Sequence, residues 1–210
     1  MQYFNTLPTV YQLDPRGNIV TATNLMARSY LLPSLTKNVN LFYTYKIKEG
    51  DTPENLAYRY YNTTDRFWLV MYSNNLMDPQ WDWPLTSKEF TSYLVETYGP
   101  AANSTDVNII IAYTQSTPHH YEQQVTTQNS IGNKQQSITI QIDEDTFTQS
   151  LNETQTAQFP DGSTVTKTIT YNQVSIYDYE VNRNEAKRNI NIMKDSYAPI
   201  AERQFQALMA

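Results

Sequence analysis

Two histidines stand side by side in Thr117-Pro118-His119-His120-Tyr121, and they are the chain's only imidazoles. Imidazole is the commonest general base and metal ligand. Neighbouring positions on a strand point to opposite faces, which separates the two rings as chelators of one ion. A loop or packing role is therefore expected of them. Asp143-Glu144-Asp145 offers carboxylates without the alternate spacing and glycine of a calcium loop, and reads as a solvated turn. The five glycines are too scattered for a phosphate-cradling loop. A Gly-x-Ser-x-Gly nucleophile turn is absent. With no cysteine, thiol nucleophiles, cysteine-based zinc sites and disulfides are excluded together. Paired carboxylates at glycosidase separation, about 5–10 Å, cannot be singled out from sequence. No catalytic residue, no cofactor and no metal is expected, and the chain reads as a binding protein rather than an enzyme.

The charge balance points the same way. Lys and Arg number 15 against 21 Asp and Glu, a formal charge of -6. Nucleic-acid binding needs clustered cations to displace phosphate counterions, so it is not expected. The opening MQYFNTLPTVYQLDPRG has neither a basic region nor an apolar stretch, and no secretory signal is read there. No apolar run approaches the roughly 20 residues that span a bilayer. Seventeen tyrosines are the unusual count. Tyrosine suits both protein interfaces and β-sheet positions, and both readings stay open.

The elements that would position these groups fall into four zones, and the expected class is α+β. Residues 1–42 are interrupted by Pro8, Pro15 and Pro33, with a turn at Asp14-Pro15-Arg16-Gly17, and read as an extended N-terminal arm. Phe4, Leu7, Pro8 and Tyr11 on it are expected to meet a neighbour. Over 43–98 a strand at Tyr43–Lys48 turns at Gly50. A helix follows, capped by Asp51 or Thr52 and opened by Pro53. A second helix carries Phe67, Trp68, Val70 and Met71 to Asn74-Asn75. Thr86 and Glu89 form a capping box for a third, with Gly99-Pro100 as its stop. Residues 99–181 read as β-rich. Val107–Tyr113 and Ser137–Ile142 are taken as strands, Phe159–Ser163 as a hairpin turn, and about 122–172 as a Thr/Gln-rich insertion. Val174–Val181 and Lys187–Met193 are expected to make a hairpin, and Ser196 to cap a last helix bearing Tyr197, Ile200, Ala201, Phe205 and Leu208.

Tyr45-Lys46-Ile47-Lys48-Glu49-Gly50-Asp51-Thr52-Pro53, with the helix to Tyr61 and Asn74-Asn75-Leu76 beyond it, resembles the opening of a LysM module. That resemblance implies a shallow groove for N-acetylglucosamine polymers, formed here by Gly50, Asp51 and Thr52 on one side and Asn74, Asn75 and Leu76 on the other. The module's second strand should follow. Instead the chain gives Asp78-Pro79-Gln80-Trp81-Asp82-Trp83-Pro84-Leu85 and a helix.

A second family accounts for that departure. Nearly end to end, the chain resembles the baseplate wedge protein 53 family of contractile-tailed phages. The shared features are Phe4, Pro8 and Tyr11; the Ile47-to-Glu54 run; Trp68 in its helix; Asp82-Trp83-Pro84-Leu85; and Pro118-His119-His120-Tyr121-Glu122. Tyr177 to Glu180 with Asn184, Glu185, Arg188 and Ile190 completes the set. The resemblance implies a structural subunit that joins wedge proteins around the tail hub. Its partners would be other wedge and hub proteins in a multi-copy assembly, located in the virion's tail baseplate after assembly in the host cytoplasm. Contacts are expected from Phe4, Leu7, Pro8, Tyr11, Trp81, Trp83, Tyr197 and Phe205. A peptidoglycan-binding LysM module is the alternative.

Overall fold

The computed structural model describes residues 3–25, 27, 31, 33–131 and 134–209, with the side chains of Phe4, Asn5 and Ser34 outside the description. The fold is α+β, as expected. The chain divides into two compact units, residues 1–87 together with 184–210, and residues 88–183. The first unit is thus discontinuous in sequence, where four consecutive zones were expected.

A 3-10 turn, Tyr3–Thr6, opens the first unit. Strands β1 (Thr9–Leu13) and β2 (Ile19–Thr23) follow as an antiparallel hairpin. Its turn forms where the sequence placed it: the Asp14 carboxylate accepts from the N–H groups of Arg16 and Asn18, both at 2.8 Å, and Gly17 takes φ 85°. A short helix α1 (Pro33–Thr36) precedes β3 (Phe42–Lys46), α2 (Pro53–Tyr61) and α3 (Phe67–Tyr72). The second unit holds all but the first residue of α4 (Ser87–Ala102), α5 (Val107–Ser116), β4 (Pro118–Asn129), β5 (Lys134–Ile142), α6 (Glu144–Gln149), β6 (Glu153–Gln158), β7 (Thr164–Ser175) and most of α7 (Ile176–Ala186). The chain then returns to the first unit for β8 (Asn189–Met193) and α8 (Ala198–Met209).

The returning strand is the main correction. β8 makes no hairpin with the segment before it. It pairs antiparallel with β3, Tyr45 opposite Ile190 and Tyr43 opposite Ile192. The reason is burial. Ile190, Ile192 and Met193 enter one core with Leu56, Ala57, Trp68, Leu69, Val70 and Phe205. Each large side chain so buried contributes about 1.5–3 kcal/mol. The partner strand of β3 is therefore supplied from beyond the whole second unit.

Other expectations fail for local reasons. Val107–Tyr113 is helical in α5, not a strand. Asp106 caps it by accepting from the Asn108 N–H at 2.8 Å, and Ile110 and Thr114, one turn apart, are its buried residues. A short apolar run has no period of its own to decide between the two. Val174–Val181 is likewise not a strand. β7 ends at Ser175, whose hydroxyl accepts from the Asp178 N–H and donates to its carboxylate, and α7 starts. Gly99-Pro100 does not stop α4, which runs on to Ala102 and ends at Asn103 with φ 48°. Asp143-Glu144-Asp145 is no simple turn: Asp143 caps α6, accepting from the Thr146 N–H at 2.7 Å, and the two acids behind it lie in the first turn, where the helix dipole favours them.

The sheet of the second unit has the order β5-β4-β7-β6, all antiparallel. Its register sorts the side chains by face. Ile138, Val125 and Ile169 lie abreast across β5, β4 and β7, with Ile140, Gln123 and Tyr171 in the next row. The opposite face carries Ser137, Thr139, Gln124, Thr126, Thr168 and Thr170. Among the described residues of this unit only Leu94 and Ile110 are buried large hydrophobics, so the sheet covers very little core.

Candidate functional site

The loop between β3 and α2 shows how the first unit uses its polar residues. Gly50 takes φ 79°, which closes the turn. Thr52 is the helix cap, its hydroxyl accepting from the Asn55 N–H at 3.2 Å. Asp51 does something else. Its carboxylate accepts from the Tyr45 hydroxyl at 2.6 Å, from the Lys48 N–H at 2.9 Å and from Arg59 at 3.2 Å. Burial opposes its charge, but the bonds from Tyr45, Lys48 and Arg59 outweigh that, and the carboxyl is held below its ordinary range. The Trp83 indole N–H donates to the Asp51 carbonyl at 2.9 Å, and the Ser87 N–H to the Glu49 carboxylate at 2.7 Å. The segment after α3 is thereby fastened onto this loop.

The facing loop is equally committed. The Asn74 amide donates to the carbonyls of Val70 and Asn191, each at 2.8 Å, and accepts from the Asn191 N–H at 2.7 Å. A side chain thus completes the edge of β8 as a third strand would. Asn75 turns the chain with φ 55°, and Leu76 packs against the core. Four of the six glycan-binding candidates have internal work: Asp51 and Asn74 in hydrogen bonds, Thr52 as cap and Leu76 in packing.

The contact candidates differ in exposure. Leu7, Trp83 and Phe205 are core, 7%, 8% and 1% exposed, so their expected role as contacts is corrected. Leu7 is not alone in the arm. The Tyr3 ring stacks on Phe205 and Trp68 with centroids 5.3 and 6.1 Å apart, so the start of the arm is core too. Pro8 and Tyr197 are half-buried, Tyr197 against the core. Tyr11 is 80% exposed and Trp81 58%. The side chain of Phe4 lies outside the described residues. Of the expected stripe on α8, Ala201 and Phe205 are buried while Ile200 and Leu208 face solvent.

The hairpin is where apolar surface collects. Val10, Tyr11, Leu13, Ile19 and Val20 are all exposed on its two strands. A two-stranded ribbon is marginal by itself in water. Beside the core, Tyr3, Leu7, Leu25, Phe67, Met71 and Leu76 contribute to the lining of an apolar pocket of about 590 Å³.

One polar grouping in the second unit was missed, and another, the histidine pair, was expected to be held apart. Glu180 is buried and accepts from the hydroxyls of Tyr98 at 2.8 Å and Tyr93 at 3.2 Å, with Arg183 3.6 Å away. Burial first, then the carboxylate, push both tyrosine hydroxyls above their ordinary pKa. Their spacing, one turn and a little more along α4, was legible; a partner some eighty residues away in sequence was not. His119 and His120 also meet. An irregularity between Pro118 and His120 breaks the alternation, and their Nδ1 atoms stand 2.8 Å apart. His119 stacks on Tyr179 at 3.7 Å and His120 Nε2 faces Glu122 at 3.0 Å. No group of three or more His, Cys, Asp or Glu arranged to hold a metal occurs among the described residues. No described helix is long and apolar enough to cross a membrane.

An α+β chain with its loops locked by internal bonds and exposed apolar residues on a two-stranded ribbon has the features of a structural protein. The base plate wedge protein 53 family matches residues 18–200, and the chain belongs to that family. Membership gives it a structural role in a phage tail baseplate. No curated protein matches the chain.

Proposed function

We propose that this subunit joins neighbouring wedge proteins around the tail hub and helps close them into a ring, by binding and without catalysis. It does so in several copies within the virion, after assembly in the host cytoplasm. The observation that carries this reading is the β1–β2 hairpin. Its Tyr11, Leu13 and Ile19 lie on one face, all strongly exposed. That face is an apolar strip awaiting a surface on a neighbour, and burying three such side chains is worth several kcal/mol, at roughly 1.5–3 each. Trp81 and Pro8 are further contact candidates in the same unit.

The test replaces Tyr11, Leu13 and Ile19 together by serine and follows incorporation into baseplates. The variant is expected to fold and to be absent from closed rings. Normal occupancy would place the joining contacts elsewhere. The peptidoglycan alternative is not favoured, since Asp51 and Asn74 are occupied by internal bonds.

A further inference from the structure

We propose that His119 and His120 form a pH-sensitive clasp at the start of β4, closed while at most one of the two rings is charged and opened when both are, which loosens the head of α7. Their Nδ1 atoms stand 2.8 Å apart, so one proton lies between them and one nitrogen must be bare to accept it. The Glu122 carboxylate accepts from His120 Nε2 at 3.0 Å, which fixes a proton there. With both rings neutral, the His119 Nδ1–H donates to the bare Nδ1 of His120. One further proton, on either ring, still leaves one Nδ1 bare. A second sets two N–H groups facing each other, and the rings must part.

The pair sits where β4 meets α7. The His119 ring lies flat on Tyr179, centroids 3.7 Å apart and planes within 8°, and His120 meets the same ring edge-on at 6.0 Å. At the head of α7 the Ile176 N–H donates to the Thr117 carbonyl at 3.0 Å, and Pro118 pairs with Ser175. The charged groups nearby have bonds of their own. On α7 the Asp178 carboxylate accepts from the Ser175 hydroxyl, and Glu180 accepts from Tyr98 and Tyr93 with Arg183 beside it. Beyond the Tyr121–Ile142 pair Asp143 caps α6, with Glu144 in the first turn. β7 sets the uncharged Val174 opposite His120. Among the described residues the two rings bond only to each other and to Glu122. The clasp's contribution is therefore present while one Nδ1 is bare. It is lost as pH falls through the range in which imidazole takes up its proton, about pH 8 to 5. The proposal stands apart from the role of the hairpin and from the baseplate assignment.

Proton–nitrogen spectra of the histidine rings in the full chain, followed from about pH 8 to 5, test it. One Nδ1–H signal shared by the pair is expected at the alkaline end. It should vanish on acidification while the two rings titrate in two coupled steps. Over the same range the protection of the Ile176 amide against hydrogen exchange should fall about two- to tenfold, the weight of one hydrogen bond. His119→Phe keeps an aromatic ring for Tyr179 and removes the nitrogen. In that variant His120 should titrate in one step, and Ile176 protection should not change with pH. Rings that titrate independently in the wild-type chain overturn the proposal. So does wild-type Ile176 protection that stays level, or that falls equally in the variant. Should His119→Phe not fold, the wild-type spectra and protection decide by themselves: coupled steps with loosening of Ile176 support the clasp, and either one missing overturns it.

Discussion

Asn74 and Asp51 are single side chains doing the work of backbone. Replacing Asn74 by alanine leaves the N–H and C=O of Asn191 without protein partners on that edge. Because Asn191 is exposed, water can replace part of the loss, and the expected cost is about 1–2 kcal/mol by urea unfolding. A midpoint equal to wild type would show that water replaces the amide fully. Asp51 predicts a pH dependence. Its folded pKa lies below the ordinary 3.8, so its stabilisation is present above that value and is lost as pH falls through the folded value. The stability gap between wild type and Asp51→Asn should therefore be full near about pH 6 and shrink by about pH 3. A gap constant across that range would mean that the carboxylate's charge contributes nothing. These roles were half legible. Gly50-Asp51-Thr52 announced a turn and a cap, but which residue caps depends on where the Tyr45 and Arg59 side chains reach.

At the scale of elements, α2 rests on one cap rather than two. Thr52→Ala should cost about 1 kcal/mol, within a range of roughly 0.5–2, while Asp51→Ala acts through the loop instead. Equal thermal unfolding of Thr52→Ala and wild type would contradict the cap. α2 and α3 were readable because their apolar residues recur at helical spacing between clear punctuation. α5 and the start of α7 were not. Val107–Tyr113 is as long as a strand and β-branched, and only its burial through Ile110 and Thr114 makes it helical. Ser175-x-x-Asp178 did carry a cap signal, hidden because the strand before it ends on the cap itself.

For the whole molecule, the two functional readings make opposite forecasts. N-acetylglucosamine oligomers should give no heat on titration into the full chain, because Asp51 and Asn74, which would hold them, are committed to internal bonds with Tyr45 and Asn191. Micromolar binding lost on substituting Asn74 would restore the glycan reading. Removal of residues 1–12 is expected to destabilise the fold, since Leu7 is core and Tyr3 packs against it, whereas the serine-substituted hairpin is not. Thermal unfolding of the two variants distinguishes an arm that is partly core from one that is contact alone. A truncated chain melting with wild type would show that Trp68 and Phe205 pack without it.

Turn residues and periodic apolar spacing by themselves determined the α+β class, the first hairpin turn and the helices after Thr52 and before Asn74, while short motifs such as Asp82-Trp83-Pro84-Leu85 carried the resemblance to the wedge family. These are local properties, carried by residues a few positions apart. Only the tertiary structure decided which strand closes the sheet on β3, that Leu7, Trp83 and Phe205 are core rather than contact, and that His119 and His120 meet. Each depends on residues distant in sequence competing for one buried surface, and β8 wins the edge of β3 because Ile190, Ile192 and Met193 bury there against Trp68 and Phe205.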